Sequence, residues 1–125
     1  MQVPILKQNE ILIATVQAAL TDNDLVTLRT DLAQQVRKHR SRGVVVDVTL
    51  LDVIDSFAAR ALRGIAQMTQ LLGAQTIIVG IQPDVAFSMV QLGLGLDDTK
   101  TALDLEEGFA LIKARSFLND SRHGD

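Results

Sequence analysis

Val44-Val45-Val46-Asp47-Val48, then a loop from Thr49 to Asp55, then Ser56-Phe57-Ala58-Ala59-Arg60-Ala61-Leu62, form the stretch that decides the fold class. Apart from Asp47, the first run is apolar on both parities, the pattern of a strand covered on both faces. Ser56 reads as the N-cap of a helix reaching to about Leu72. Ala58, Ala61, Leu62, Ile65, Met68 and Leu72 are its expected apolar face, and Gly73 stands where a C′ glycine belongs. Thr76-Ile77-Ile78-Val79 then returns as a second buried-type strand. Strand, helix and strand in this order call for parallel strands joined by a right-handed crossover.

The flanks extend the same pattern. Ile5 to Lys7 and Ile11 to Val16 read as a tight strand-turn-strand, its connection too short for a crossover, so the first strand is expected antiparallel. Thr21-x-x-Asp24 fits a capping box that opens a helix carrying Leu25, Leu28, Leu32 and Val36 at helical spacing. Arg37, Lys38, His39 and Arg40 crowd its last turn, where cations complement the helix dipole, and Gly43 is taken to end it. Downstream, Gly80 breaks a strand, Pro83 opens a third helix to about Leu92, and Gly93 ends it. Thr101-Ala102-Leu103 reads as a brief strand. Asp104 caps a last helix with Glu106 and Glu107 in its first turn and Leu105, Phe109 and Ile112 as its stripe. The element order is β-β-α-β-α-β-α-β-α. It implies a single α/β domain over residues 1–118, with a mixed, mostly parallel sheet of about five strands and four helices, and a polar tail over 119–125.

Composition narrows the chemistry. The chain has 125 residues, 47% hydrophobic and 22% charged, as a globular domain does. It has no Cys, Trp or Tyr, only two His and four Phe, and a formal net charge of −3. Disulfides, thiol nucleophiles and thiolate metal sites are excluded. The acidic balance and lack of stacking aromatics argue against nucleic acid. No segment has the apolar run of a membrane span, and Met1-Gln2-Val3-Pro4 lacks the basic start of a secretory signal, so a soluble cytoplasmic protein is expected. No cofactor is expected either.

Three groups merit chemical scrutiny. Gly93-Leu94-Gly95 follows a helix rather than a strand and has no Lys-Ser or Lys-Thr after it, so a helix end and turn explain it better than a phosphate loop. Asp47, Asp52 and Asp55 lie near the C-terminal end of a parallel-type strand, where open α/β sheets place ligands. No lysine or histidine accompanies them, so solvated loop acids outweigh a Mg²⁺ site. Ser56 lacks a base and an oxyanion hole, since His39 belongs to the far end of the strand. An enzyme is therefore not expected.

Val44-Val45-Val46-Asp47-Val48, then Val53-Ile54-Asp55-Ser56 before a helix, resembles the signature of the STAS domain of anti-sigma-factor antagonists. Leu72-Gly73-Ala74-Gln75 before Thr76–Gly80, Pro83-Asp84-Val85, the Leu92-Gly93 step and Asp104-Leu105-Glu106-Glu107 are also similar to that family. The resemblance spans about residues 4–115, and it is the order of these motifs, not any one of them, that is specific. It implies phosphorylation of Ser56 by a partner-switching serine/threonine kinase. Classical antagonists continue Asp-Ser-Ser-Gly or Asp-Ser-Thr-Gly; here Phe57-Ala58 follows, with Ala58 in place of the glycine. The Asp-Ser-Phe form on a compact chain looks more like the RsbS-type scaffold of the stressosome. That resemblance implies a sensory STAS paralogue, a kinase and a phosphatase as partners, in homo-oligomers and large hetero-oligomers. The alternatives it leaves are a small soluble antagonist binding an anti-sigma factor, and a regulatory piece of a transporter. Asp22, Asp52, Asp55, Phe57 and Arg60 are candidate docking residues, with Phe57 either exposed for docking or packed over the sheet edge. Thr49 and Thr21 are further hydroxyls available for phosphate.

Overall fold

The computed structural model describes residues 3–18, 20–96 and 99–123, and side chains as far as residue 114. Five strands, β1 (Ile5–Gln8), β2 (Ile11–Thr15), β3 (Gly43–Asp47), β4 (Gln75–Val79) and β5 (Lys100–Ala102), form one sheet. The helices are α1 (Asp22–His39), α2 (Ser56–Leu71), α3 (Pro83–Gln91) and α4 (Leu105–His123). Strand order across the sheet is β1-β2-β3-β4-β5. β1 pairs antiparallel with β2, setting Ile5 opposite Ala14, and every other pair is parallel, with Leu12 beside Val44 and Val44 beside Thr76. The expected mixed α/β sheet and its element order are what the chain adopts.

The apolar runs on both parities have a direct cause. Leu12, Ala14, Val44, Val46 and Ile78 face a core shared with Leu28, Leu32 and Val36 of α1 and Leu62, Ile65 and Ala66 of α2. Ile11, Ile13, Val45, Ile77 and Val79 face the opposite way, under Leu105, Phe109 and Ile112 of α4. The α4 stripe is the one its spacing predicts. α3 lies on the flank of α2, where Val85 and Met89 pack with Ala59. That contact buries Ala59, which lies outside the predicted stripe of α2. Ala59, Leu62, Ile65, Ala66 and Thr69 are buried, whereas Leu72 is exposed and Ala58 and Ala61 are only half-buried.

Gly43 has a different task from the one its position suggested. α1 ends at Arg40, which takes the left-handed conformation (φ 49°) and donates its N–H to the Val36 carbonyl. Gly43 is instead the first residue of β3, where a Cβ would come within 2.8 Å of Ile112 Cγ2. A Cβ at Gly108 would come equally close, 2.8 Å, to Val79 Cγ1. These two glycines let α4 lie close on the sheet. α4 continues through His123, so helix extends past residue 118; residues 124–125 lie outside the described residues.

The capping box of α1 is present as its sequence predicts. Asp24 N–H donates to Thr21 Oγ1 at 3.1 Å, and Thr21 N–H donates to Asp24 Oδ2 at 3.0 Å. The backbone N–H of Thr21 favours the Asp24 carboxylate and lowers its pKa from the ordinary 3.8. A lowered folded-state value stabilises the fold above the unfolded pKa, and that contribution is lost as pH falls through the folded value. Carboxylate NMR should therefore find Asp24 titrating below 3.8, and Thr21→Ala, which keeps the backbone N–H, should leave most of that lowering in place.

Candidate functional site: the loop into α2

The loop between β3 and α2 is held by a succession of local bonds. Asp47 Oδ1 accepts from the Thr49 N–H at 2.9 Å and from its hydroxyl at 2.6 Å. Val48 N–H still reaches the Val79 carbonyl at 3.0 Å, so the pairing of β3 and β4 extends to the loop. Leu51 turns back, its N–H donating to the Val48 carbonyl at 2.9 Å and its side chain buried. Ile54 packs against the main core and against the Ala59–Val85–Met89 cluster together. Leu50, Asp52 and Val53 are left exposed.

The cap of α2 is Asp55, not Ser56. Asp55 has the extended backbone of an N-cap (φ −99°, ψ 176°), and its Oδ1 accepts from the Ala58 N–H at 2.8 Å. A carboxylate there satisfies an orphan donor and opposes the positive end of the helix dipole. Ser56 thereby becomes the first helical residue. Its hydroxyl makes no hydrogen bond to another described residue, and the side chain is half-buried. Asp55→Ala should lower stability by about 1 kcal/mol, read as a shift in urea midpoint at constant m-value.

The other hydroxyls raised by the sequence are engaged. Thr49 gives its proton to Asp47, and Thr21 accepts the capping bond of α1. The three aspartates near the loop also divide their duties: Asp47 holds Thr49, Asp55 caps α2, and Asp52 is exposed. Among the described residues no cluster of three acidic or histidine side chains is placed to hold a metal ion. No described helix is long and apolar enough to cross a membrane.

Beside the loop runs a groove of about 250 Å³ between the N-terminal ends of α1 and α2. Leu20, Leu25, Leu51, Val53, Ile54 and Leu62 are among its apolar lining residues, and Asp22 and Asp55 contribute carboxylates. Of the docking candidates, the structure therefore joins Asp22 and Asp55 in one concave surface. Asp52, Phe57 and Arg60 are exposed outside its lining, Phe57 at 39%. The exposure of Leu50 and Val53 was not anticipated, because alternation within a short irregular loop carries no period to read. Gln82, which reaches across from the far loop to the Thr49 carbonyl at 2.7 Å, was missed for a related reason. It has no local partner that its neighbours in sequence could reveal.

The chain matches the STAS domain family over residues 2–108. Among curated relatives it is 33% identical over 78 residues to the RsbT co-antagonist protein RsbRA of Bacillus subtilis, covering 62% of this chain and 28% of that protein. It thus spans less than a third of that relative's length. Its structure is similar to a serine-to-glutamate variant of Moorella thermoacetica RsbS, with a TM-score of 0.82 and 30% identity, covering 93% of this chain and 98% of that one. It is equally similar to a chain from the molecular architecture of the stressosome, a signal integration and transduction hub, with a TM-score of 0.81 and 31% identity over 90% of this chain and 98% of that one. At 14% identity and a TM-score of 0.65, the antagonist SpoIIAA in its unphosphorylated form shares the fold, over 90% of this chain and 97% of that one.

Proposed function

Because the chain belongs to the STAS domain family, we propose that it is a non-enzymatic scaffold of a bacterial, cytoplasmic stressosome that sequesters a partner-switching serine/threonine kinase until Ser56 is phosphorylated. The observation that carries this reading is the state of Ser56: a hydroxyl without a hydrogen-bond partner among the described residues, at the first position of α2 and directly after a capping carboxylate. Similarity to RsbS and to a stressosome chain over nine-tenths of this chain or more supports the assembly. Similarity to RsbRA supports a longer STAS paralogue as co-assembling partner, and reversal requires a phosphatase.

The switch is electrostatic. A phosphate on Ser56 adds about −1.5 to −2 charges. The N-terminus of α2 tolerates them, so the fold persists. Asp55 is adjacent, and Asp22 lines the same groove as Asp55, so the added charge deepens a negative surface. A partner matched to the unmodified surface then loses its fit. The change acts on docking and leaves the core intact.

Co-purification with a neighbouring anti-sigma-factor-type kinase and a sensory STAS paralogue, with and without ATP, tests this reading. Mass and phosphate position are read together. A very large particle that releases the kinase once Ser56 carries phosphate is the expected result. A small complex with an anti-sigma factor instead would make the chain a soluble antagonist. Phosphate found elsewhere would remove Ser56 from the mechanism.

A further inference from the structure

Thr49 is bound on several sides. Its N–H and hydroxyl both donate to Asp47 Oδ1, and its carbonyl accepts from Gln82 Nε2 at 2.7 Å. Its side chain lies against Gly80, a residue with φ of +77° where a Cβ would collide with Thr49 Oγ1. Gly80 thus serves two ends, the left-handed turn after β4 and room for Thr49. Together these contacts join the start of the Ser56 loop to the turn that leads into α3.

The far end of the same loop is fixed by the Asp55 cap, and its middle by buried Leu51 and half-buried Ile54. Between those anchors Leu50 and Val53 are exposed, at 56% and 73%. A loop with exposed apolar side chains keeps one conformation only where its ends are pinned. Otherwise backbone entropy favours many.

We propose that Thr49 and Gln82 are positioning residues, a clasp that holds the Ser56 loop in the conformation on which the kinase docks. This rests on the reading of Ser56 as the phosphate acceptor. Opening the clasp spreads the loop over other conformations. Apparent affinity then falls by the fraction that remains competent, while the chemical step in the docked complex is unchanged. The signature is a raised KM for the chain with kcat preserved.

Steady-state phosphorylation by the co-purified kinase, at saturating ATP, tests the clasp with full-length Thr49→Val, Thr49→Ser and Gln82→Ala. Thr49→Val removes the hydroxyl at nearly constant volume, and Gln82→Ala removes the amide donor. Each should raise KM about 3- to 10-fold with kcat within about twofold of wild type. Thr49→Ser keeps the hydroxyl and should rescue. Amide hydrogen exchange supplies a readout free of kinase: the Leu51 N–H, bonded to the Val48 carbonyl, should exchange faster in the two disruptive variants. A KM unchanged in both, or a loss confined to kcat, overturns the positioning role. Leu51 exchange unchanged in both refutes the clasp itself. A wild-type chain without phosphate on Ser56 refutes instead the acceptor on which the inference rests.

Discussion

Ser56→Ala should take up no phosphate from the kinase that labels the wild-type chain, and it should keep that kinase bound in the presence of ATP. The effect is close to all-or-none because the substitution removes the accepting oxygen itself. It should leave the fold nearly untouched. Ser56 Oγ makes no hydrogen bond to a described residue, and alanine suits the first turn of a helix. A stability change within about 0.5 kcal/mol is expected, so lost labelling cannot be ascribed to unfolding. Peptide mass spectrometry makes the comparison. Undiminished labelling of the variant would show that another hydroxyl is the acceptor. Thr49 is a poor substitute, since its proton is donated to Asp47. Ser56→Asp should reproduce the phosphorylated state only in part, because it brings one charge where phosphate brings about −1.5 to −2.

Ile65→Ala should be the most destabilising of the substitutions considered. Ile65 is 1% exposed, in the stripe of α2 that faces the sheet and α1. Truncation removes its transfer free energy and leaves a cavity that packed neighbours only partly fill, at a cost of about 2–5 kcal/mol. Against a typical domain stability of about 5–15 kcal/mol, that is a large share. Denaturant unfolding should show a much lower midpoint at similar m-value, and Ile65→Val a loss of about 0.5–1.5 kcal/mol. A loss below about 1 kcal/mol for Ile65→Ala would mean that α2 repacks freely. The helix would then be too plastic a platform to fix Ser56.

These two residues also show where sequence is readable. Ile65 is legible because burial against a sheet imposes a period, and Leu62 and Ile65 belong to both the predicted and the observed stripe. The strands were legible for the same reason. Runs such as Val44–Val46 are apolar on both parities, which only a doubly covered strand requires. The cap of α2 was not legible, because Asp and Ser are almost equal N-caps and stand side by side here. Asp55 takes the extended conformation, and Ser56 begins the helix. The purpose of Gly43 was hidden as well. Its small size answers Ile112 of α4, far along the chain. Thr49 and Gln82 lie 33 residues apart, and no period connects them. The element order could be reasoned from local pattern, whereas contacts between loops depend on tertiary geometry.

The sheet order β1-β2-β3-β4-β5 repeats the order of the chain, and this has a consequence for biosynthesis. Each strand leaving the ribosome finds its partner already made, so the sheet grows by accretion and needs no insertion between finished strands. The core under α1 and α2 can close early. The opposite face, with Ile11, Ile13, Val45, Ile77 and Val79, stays uncovered until α4 is synthesised. A nascent chain interrupted before Leu105 would present a nearly complete sheet with one bare apolar side, the kind of surface that recruits chaperones or aggregates. Gly43 and Gly108 then let the last helix settle close to the sheet and cover it.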